Sequence, residues 1–394
     1  MNGRAQRKRA LITGFAAGVA ATLIVAAAIV WAEGGFSSSS PALQASDVIQ
    51  KDYFKSVPGS LLDNASVQGM VRTIKRRYGD RFSHYFDPGQ LQQFEQASSG
   101  RFSGVGLTVT EVSRGLRVAS VIPHTPAQRA GIKAGDVIIA VNGRSIGGVP
   151  SEVSTARIKG PPGTPVELGI VSRPGGRKRS VHLNRASVRV PVVQGELKHA
   201  GGTKVAYVRF TTFSQGAHGE LSTTLQRLDR QGAKGLVLDL RGNGGGLLNE
   251  AVLCASLFIR QGQLVVSTDS RTMGHHDYPA VGNPLPAHPT VVLINQDTAS
   301  AAEILASALA DHHLATIVGT RSFGKGTFQE VIHLPSGGAL DLTVGQYLTA
   351  DGTSLAGKGI RPDVHAADNP KTAPDEGLRK ALAVLAEKAA VQNR

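Results

Sequence analysis

Ser300 lies between an apolar run, "TVVLIN", and a helical pattern, "AAEILASALADH". Glu303 follows at the spacing of a capping box, in which serine and glutamate satisfy the open donors of the first helical turn. That makes Ser300 a helix N-cap. A serine past a strand end, at a helix start, also suits a nucleophile, because partial positive charge there favours a developing oxyanion. Lys325, in "GTRSFGKGT", has two readings as well. It is a solvated lysine of a glycine turn, or an amine held by Phe323 and Phe328 in an apolar pocket. Only a neutral lysine can take a proton from serine, which from an ordinary pKa near 10.4 needs a drop of about 3 units. Gln329 is a polar strand residue or, if the chain is extended from Lys325, a same-face neighbour able to orient the amine.

The same lysine nearly completes a phosphate-binding loop, Gly319-x4-Gly324-Lys325. That loop needs Ser or Thr next, then a helix. Here Gly326 follows, and "TFQEVIHLPSGGALDLTVGQY" reads as strands around a glycine turn, so no nucleotide is expected. A second glycine stretch, "LDLRGNGGGLLNEAV", fails the dinucleotide fingerprint at Leu247. It is a flexible turn, or a run of bare N–H groups open to an oxyanion. "GRSIG" (Gly143 to Gly147) has the nucleophile-elbow pattern, but Asn142-Gly143 reads as a turn and Ser145 is not expected to react.

The elements that must position these groups alternate. From residue 204, "KVAYVRF", "GLVLDL", "TVVLIN" and "ATIVG" read as strands, separated by helices, which predicts a mixed α/β core with largely parallel strands. Residues 101–186 are β-rich. Residues 45–98 carry apolar residues at helical spacing in "SDVIQKDYFK" and "NASVQGMVRTIKRRY", with Asn64 as N-cap of the second. Cys254 falls in the apolar helix "LLNEAVLCASLFI" and reads as core. As the single cysteine it excludes an intrachain disulfide.

Net charge is +14. Part of that excess is Arg4, Arg7, Lys8 and Arg9, and no basic, aromatic-interleaved stretch is present, so nucleic acid is not an expected partner. No His-Glu-x-x-His or paired Cys-x-x-Cys occurs, and His275-His276 and His312-His313 read as solvated loops. Ala10 to Ala32 is uncharged and apolar, long enough to span a bilayer. The basic flank would stay in the cytoplasm, Trp31 would sit at the far interface, and Val30-Trp31-Ala32 is a poor cleavage site. An uncleaved anchor is therefore expected, followed by the polar linker "EGGFSSSSPA".

"GVGL" (Gly104, Val105, Gly106, Leu107), "PAQRAGIKAGD" and "AVNG" together resemble a PDZ domain, in which a ligand C-terminus adds as a strand and its carboxylate meets N–H groups of the first glycine loop. With "KGLVLDLRGNGGGLLNEAV", "NQDTASAAEILASALADHHLATIVGTRSFGKGTFQ" and "LTADGTSLAGKGIRPDV", the chain resembles the carboxyl-terminal processing peptidases over about residues 45–390. These are serine proteases with a Ser-Lys dyad and an embedded PDZ domain. The resemblance implies Ser300 as nucleophile, Lys325 as general base, Gln329 as its orienting partner, and an oxyanion hole from N–H groups near Gly245 and of Ala301. Gly244 stands where the family usually has proline, and Thr298 and Ala302 replace serines. Asp311 matches a frequent family position without a role.

The expected layout is a multidomain α/β protein: basic tail 1–9, membrane anchor 10–32, linker 33–44, helical region 45–98, PDZ domain 99–186, and protease core with C-terminal helix 187–394. The resemblance implies cleavage of proteins captured by apolar C-terminal tails through an acyl-enzyme, without metal or cofactor. The location implied is a bacterial cell membrane, crossed once, with the catalytic domain outside. Room is left for an adaptor protein, and for a homo-oligomer paired through residues 45–98 and "EGLRKALAVLAEK". A non-catalytic PDZ scaffold is the alternative.

Overall fold

Strands of a large α/β core must hide both faces, and this chain does so with helices on each side of one sheet. The computed structural model describes residues 40–172, 176–367 and 375–392. The predicted anchor, 10–32, lies outside the described residues. Among those that are described, no helix is long and apolar enough to cross a membrane. The chain divides into two units, Met1–Tyr85 and Phe86–Arg394.

In the first unit α1 (Pro41–Asp52) packs with α2 (Gly59–Tyr78). Two expectations change here. The first helix begins inside the expected linker, with proline at its start, and ends before Tyr53. The second starts after Pro58, so Asn64 lies within it and caps nothing. Its Oδ1 accepts the Tyr85 hydroxyl at 2.7 Å instead. The helix stops at Gly79, whose φ of +66° closes it in the left-handed conformation.

The second unit opens with α3 (Pro88–Ser98). An antiparallel ribbon follows, β2 (Arg101–Gly104) against β9 (Ala186–Arg189). Between its strands lies an antiparallel sheet, ordered β3 (Leu107–Val112), β4 (Gly115–Val121), β5 (Val137–Val141), β7 (Pro165–Val171), β8 (Lys178–Asn184), with β6 (Arg144–Ser145) paired to β5. Two short helices, α4 (Pro126–Arg129) and α5 (Ser151–Ile158), complete this domain around a core that includes Leu116, Ile138, Leu168 and Ile170. Ser145 is exposed on β6, next to the turn at Asn142 and Gly143, as the turn reading requires.

The largest sheet runs β10 (Val193–Ala200), β11 (Thr203–Phe210), β12 (Leu236–Asp239), β15 (Thr290–Ile294), β16 (Ala315–Gly319), β19 (Val364–His365). Every pair except β10–β11 is parallel. Alternate residues serve opposite faces. Leu236, Leu238, Val292, Ile294 and Ile317 join the core containing α6 (Ala217–Arg230), α7 (Leu248–Ala255) and α8 (Ala301–Asp311). Val237, Val291, Leu293 and Val318 face Ala381, Val384 and Leu385 of α9 (Glu376–Gln392). Burial on both faces is why these strands read as unbroken apolar runs. It also corrects one expectation: the apolar face of "EGLRKALAVLAEK" is spent on its own sheet and is not open to a second protomer. Cys254 is buried in α7, and burial pushes its thiol pKa up.

A second, antiparallel sheet is ordered β17 (Thr327–His333), β18 (Ala339–Thr349), β13 (Leu264–Ser270), β14 (Gly274–Pro279). His275 and His276 therefore lie on a strand rather than a loop. Exposed His275 sits between Asp269 (2.6 Å) and Asp277 (3.0 Å), which fits a solvated strand face.

Arg241 locks α9 to the main sheet. Its guanidinium donates to both carboxylate oxygens of Asp239 (3.0 and 2.7 Å) and of Asp375 (2.9 and 2.7 Å). Asp375 Oδ1 in turn accepts the Leu378 N–H at 2.7 Å, as an N-cap does. Asp239 is 1% exposed, so removing the guanidinium strands a buried charge. Arg241→Ala is expected to cost about 3 kcal/mol in urea unfolding, with the first-unfolding segment including α9 by hydrogen exchange.

Candidate active site

Three loops leave the C-terminal ends of three adjacent parallel strands, β12, β15 and β16. The first carries the glycine stretch 241–247, the second ends at Ser300, and the third carries Lys325. Open parallel sheets gather ligands at this edge because successive loops converge there.

The serine turn is fastened to the glycine loop. Thr298 Oγ1 donates to the Leu240 carbonyl (2.9 Å), the Ala299 N–H donates to the Asn243 carbonyl (3.0 Å), and the Gly242 N–H donates to Asn295 Oδ1 (2.9 Å). Thr298 thus has a structural task that its hydroxyl fulfils in place of serine. Gly245, at φ +99°, passes so close that a Cβ there would lie 2.8 Å from Ser300 Cβ and 2.9 Å from the Ala301 nitrogen. Only glycine allows both that φ and that approach.

Ser300 is buried at the start of α8, with φ 58° and ψ −122°. L-residues rarely adopt this conformation, and surroundings must hold it. Its N–H donates to Glu303 Oε2 at 2.9 Å, the backbone half of the predicted capping box. Its hydroxyl is hydrogen-bonded with the Tyr347 phenol, whose pKa burial pushes up. Ala301 begins the helix, so its N–H has no acceptor within α8.

Lys325 is brought to the serine through Glu303. That side chain is fully buried. Oε2 also accepts the Lys325 N–H (2.9 Å), while Oε1 accepts the Gly324 N–H (2.7 Å) and the Ser322 hydroxyl (2.5 Å). The Ser300 and Lys325 main-chain nitrogens therefore lie within two hydrogen-bond lengths of each other. The Phe323 N–H adds a bond to the Thr298 carbonyl at 3.0 Å. Burial lowers the Lys325 pKa, opposed by the charges of Asp341 and Glu303. Lys325 is followed by Gly326 and strand β17, not by a helix, so the phosphate-loop geometry is absent.

Two expectations about the site are modified. The Gly245 N–H donates to Asn243 Oδ1 at 2.9 Å, so Gly245 meets the serine by its main-chain path while its N–H is engaged elsewhere. The chain from Lys325 to Gln329 is not one extended strand. Gly326 turns back on Gly324, β17 begins at Thr327, and the register shifts between Phe328 and Gln329. The same-face argument for Gln329 fails for that reason, and its amide donates to Thr343 Oγ1 at 3.1 Å.

Gly104 ends β2, and Val105 and Gly106 lead from it into Leu107, the first residue of β3. The Val105 and Gly106 carbonyls accept N–H groups of Ala127 (2.9 Å) and Ile122 (3.0 Å), which shapes the loop. At φ +87°, Gly106 would drive a Cβ to 2.3 Å from Thr125. Strand β3 is an edge strand of its sheet, as strand addition requires.

Sequence reasoning gave Glu303 only a capping role and missed Tyr347, Asn243 and Asp341. The doubled use of Glu303 follows from long-range packing with 322–325, for which the local pattern holds no signal. Asp311 accepts main-chain N–H groups of Ala350 and Asp351, pinning the end of α8 to the end of β18.

A buried serine at a helix N-terminus, a glycine loop against it, and a lysine whose charge is disfavoured can perform acyl transfer. Comparison with known proteins agrees. A model of peptidase family S41 matches residues 204–366, and a PDZ domain model matches residues 92–171. The carboxy-terminal processing protease CtpA of Bacillus subtilis is 35% identical over 323 residues, 82% of this chain and 68% of the relative. The chain belongs to peptidase family S41. A carboxyl-terminal-processing protease of a Picosynechococcus species is 38% identical over 287 residues, 72% of this chain and 69% of its own. Among solved structures, the photosystem II D1 C-terminal processing protease aligns with a TM-score of 0.50 at 29% identity, covering 89% of this chain and 97% of that one. This S41 member is a carboxy-terminal processing serine protease with a PDZ domain, which favours the enzyme over the non-catalytic scaffold.

Two outcomes are expected. Gly245→Ala should reduce peptide cleavage at least ~100-fold while the protein remains folded by circular dichroism, because the added methyl collides with the serine turn. The kcat/KM of the parent should rise with pH through a midpoint below the free-lysine value of about 10.4, the proton being lost from Lys325.

Proposed function

We propose that this S41 protease cuts proteins captured by an apolar C-terminal tail, with Ser300 as nucleophile and Lys325 as general base. The observation that carries the assignment is the shared Glu303 oxygen, which accepts N–H groups from both residues. Ser300 attacks the scissile carbonyl, and its proton passes to the Lys325 amine and then to the leaving amine. Water hydrolyses the ester, the proton path running in reverse. The oxyanion rests on the Ala301 N–H and on the glycine loop beside Gly245. Gln329 acts through Thr343 Oγ1 on the lysine side of the site.

The captured tail adds to the edge of β3, with its carboxylate at the loop Val105–Leu107. The apolar run Ala10 to Ala32 anchors the protein in a bacterial membrane and leaves the protease outside. An adaptor that delivers substrates and an assembly through residues 45–98 belong to the same proposal; exposed Val48, Leu61 and Met70 on the helices there support the latter.

The test uses the full chain in detergent with an unfolded protein ending in an apolar or a charged tail, and mass spectrometry of the fragments. Cleavage of the apolar-tailed protein by the parent, lost in Ser300→Ala and Lys325→Ala, is expected. Equal cleavage of both tails would reject tail recognition, and activity surviving in Ser300→Ala would reject the nucleophile.

A further inference from the structure

Glu303 belongs to neither member of the proposed dyad, yet more of the site is tied to it than to any other side chain named above. It is 0% exposed. All four of its partners are donors: the N–H groups of Ser300, Gly324 and Lys325, and the Ser322 hydroxyl. Four donors on two oxygens are the complement of an ionised carboxylate, which is acceptor-only. Ser322 is itself fixed, since its oxygen accepts the Ile360 N–H at 2.6 Å. The carboxylate therefore closes the lysine loop onto the first turn of α8.

We infer that Glu303 is a positioning residue with two separable effects: it sets the place of Lys325 relative to Ser300, and its charge sets the pH range in which Lys325 can accept a proton. The inference rests on the Ser300–Lys325 reading above.

Geometry carries the first effect. A glutamine at 303 would turn an amide N–H toward donors that now find an acceptor, so the loop could not close as it does. The second follows from charge. The groups acting electrostatically on the Lys325 amine are Glu303 from α8 and Asp341 from β18, both favouring the ammonium form, against burial, which disfavours it. Removing the Glu303 charge takes away one of the charges that oppose burial. The lysine then loses its proton at lower pH, and the rising limb of the pH–rate profile moves down. A purely structural carboxylate would depress the rate without moving the limb.

The measurement is the rate of Ser300 labelling by a fluorophosphonate probe, between about pH 6 and 10, on the full chain in detergent. Labelling at Ser300 is confirmed by peptide mapping. Glu303→Gln is expected to lower the plateau rate at least tenfold and to shift the limb down by roughly one pH unit. Ser322→Ala, which removes one bond and no charge, should lower the plateau and leave the limb in place. Glu303→Asp, which keeps the charge and shortens the reach, should do the same. An unmoved or upward-moved limb in Glu303→Gln overturns the electrostatic role. If that variant does not fold, Glu303→Asp decides: a shifted limb overturns the proposal, an unshifted one with a lowered plateau upholds it. Absence of Ser300 labelling in the parent at every pH would sink the nucleophile assignment itself, whereas labelling with an unmoved limb sinks the Glu303 role alone.

Discussion

The site depends on one buried carboxylate. Leaving a charged group out of water is costly unless donors replace its hydration, and Glu303 has four of them. Each donor comes from a main chain or hydroxyl that would otherwise be unsatisfied in the same interior. The carboxylate and the two loops therefore require one another: loosening the 322–325 loop exposes the charge to an apolar core, and removing the charge orphans three N–H groups. That mutual requirement holds Ser300 in a conformation the backbone would not choose alone.

The sheet supplies the frame. Parallel neighbours β12, β15 and β16 deliver their loops to one edge, and the helices on both faces leave those loops no room to drift. Close approach is then a matter of residue size. Gly245 slides against Ser300 with no side chain between them. Thr298 spends its hydroxyl across the gap on Leu240. Arg241, at the root of the same glycine loop, is clamped by Asp239 and Asp375, so the C-terminal helix indirectly fixes the loop that faces Ser300.

Much of this was legible in the residues. Continuous apolar runs announced the buried parallel strands, and the Ser-x-x-Glu spacing announced the helix start, because both signals are local. Ser300, Lys325 and the glycine loop were legible as a chemically coherent set, which the family resemblance strengthened; nothing in the local spacing brings them together. What stayed hidden depends on long-range packing. Asn64 looked like a cap because helix starts are read from polar residues, but Pro58 and Gly59 begin the helix earlier. The apolar face of residues 376–392 looked available for pairing because one sequence does not say which of its own strands will cover it. Gln329 looked aligned with Lys325 because a strand was assumed to be regular, and the shift at Phe328 breaks that alternation.

The two sheets divide the chemistry between them. The parallel sheet fixes Ser300, through strand ends and the start of α8, and offers it helix-terminal N–H groups. The antiparallel hairpin of β17 and β18 works on Lys325 and on the serine's hydroxyl: Asp341 acts on the Lys325 charge, Thr343 holds Gln329, and Tyr347 meets the Ser300 hydroxyl. Tyr347 also donates its N–H to the Gly326 carbonyl at 2.9 Å, so this strand is stitched to the residue directly after the lysine. A serine hydroxyl has one proton to donate. The Tyr347 phenol of the hairpin meets the Ser300 hydroxyl held by the parallel core, and the surroundings of Ser300 are a property of that seam rather than of either sheet alone.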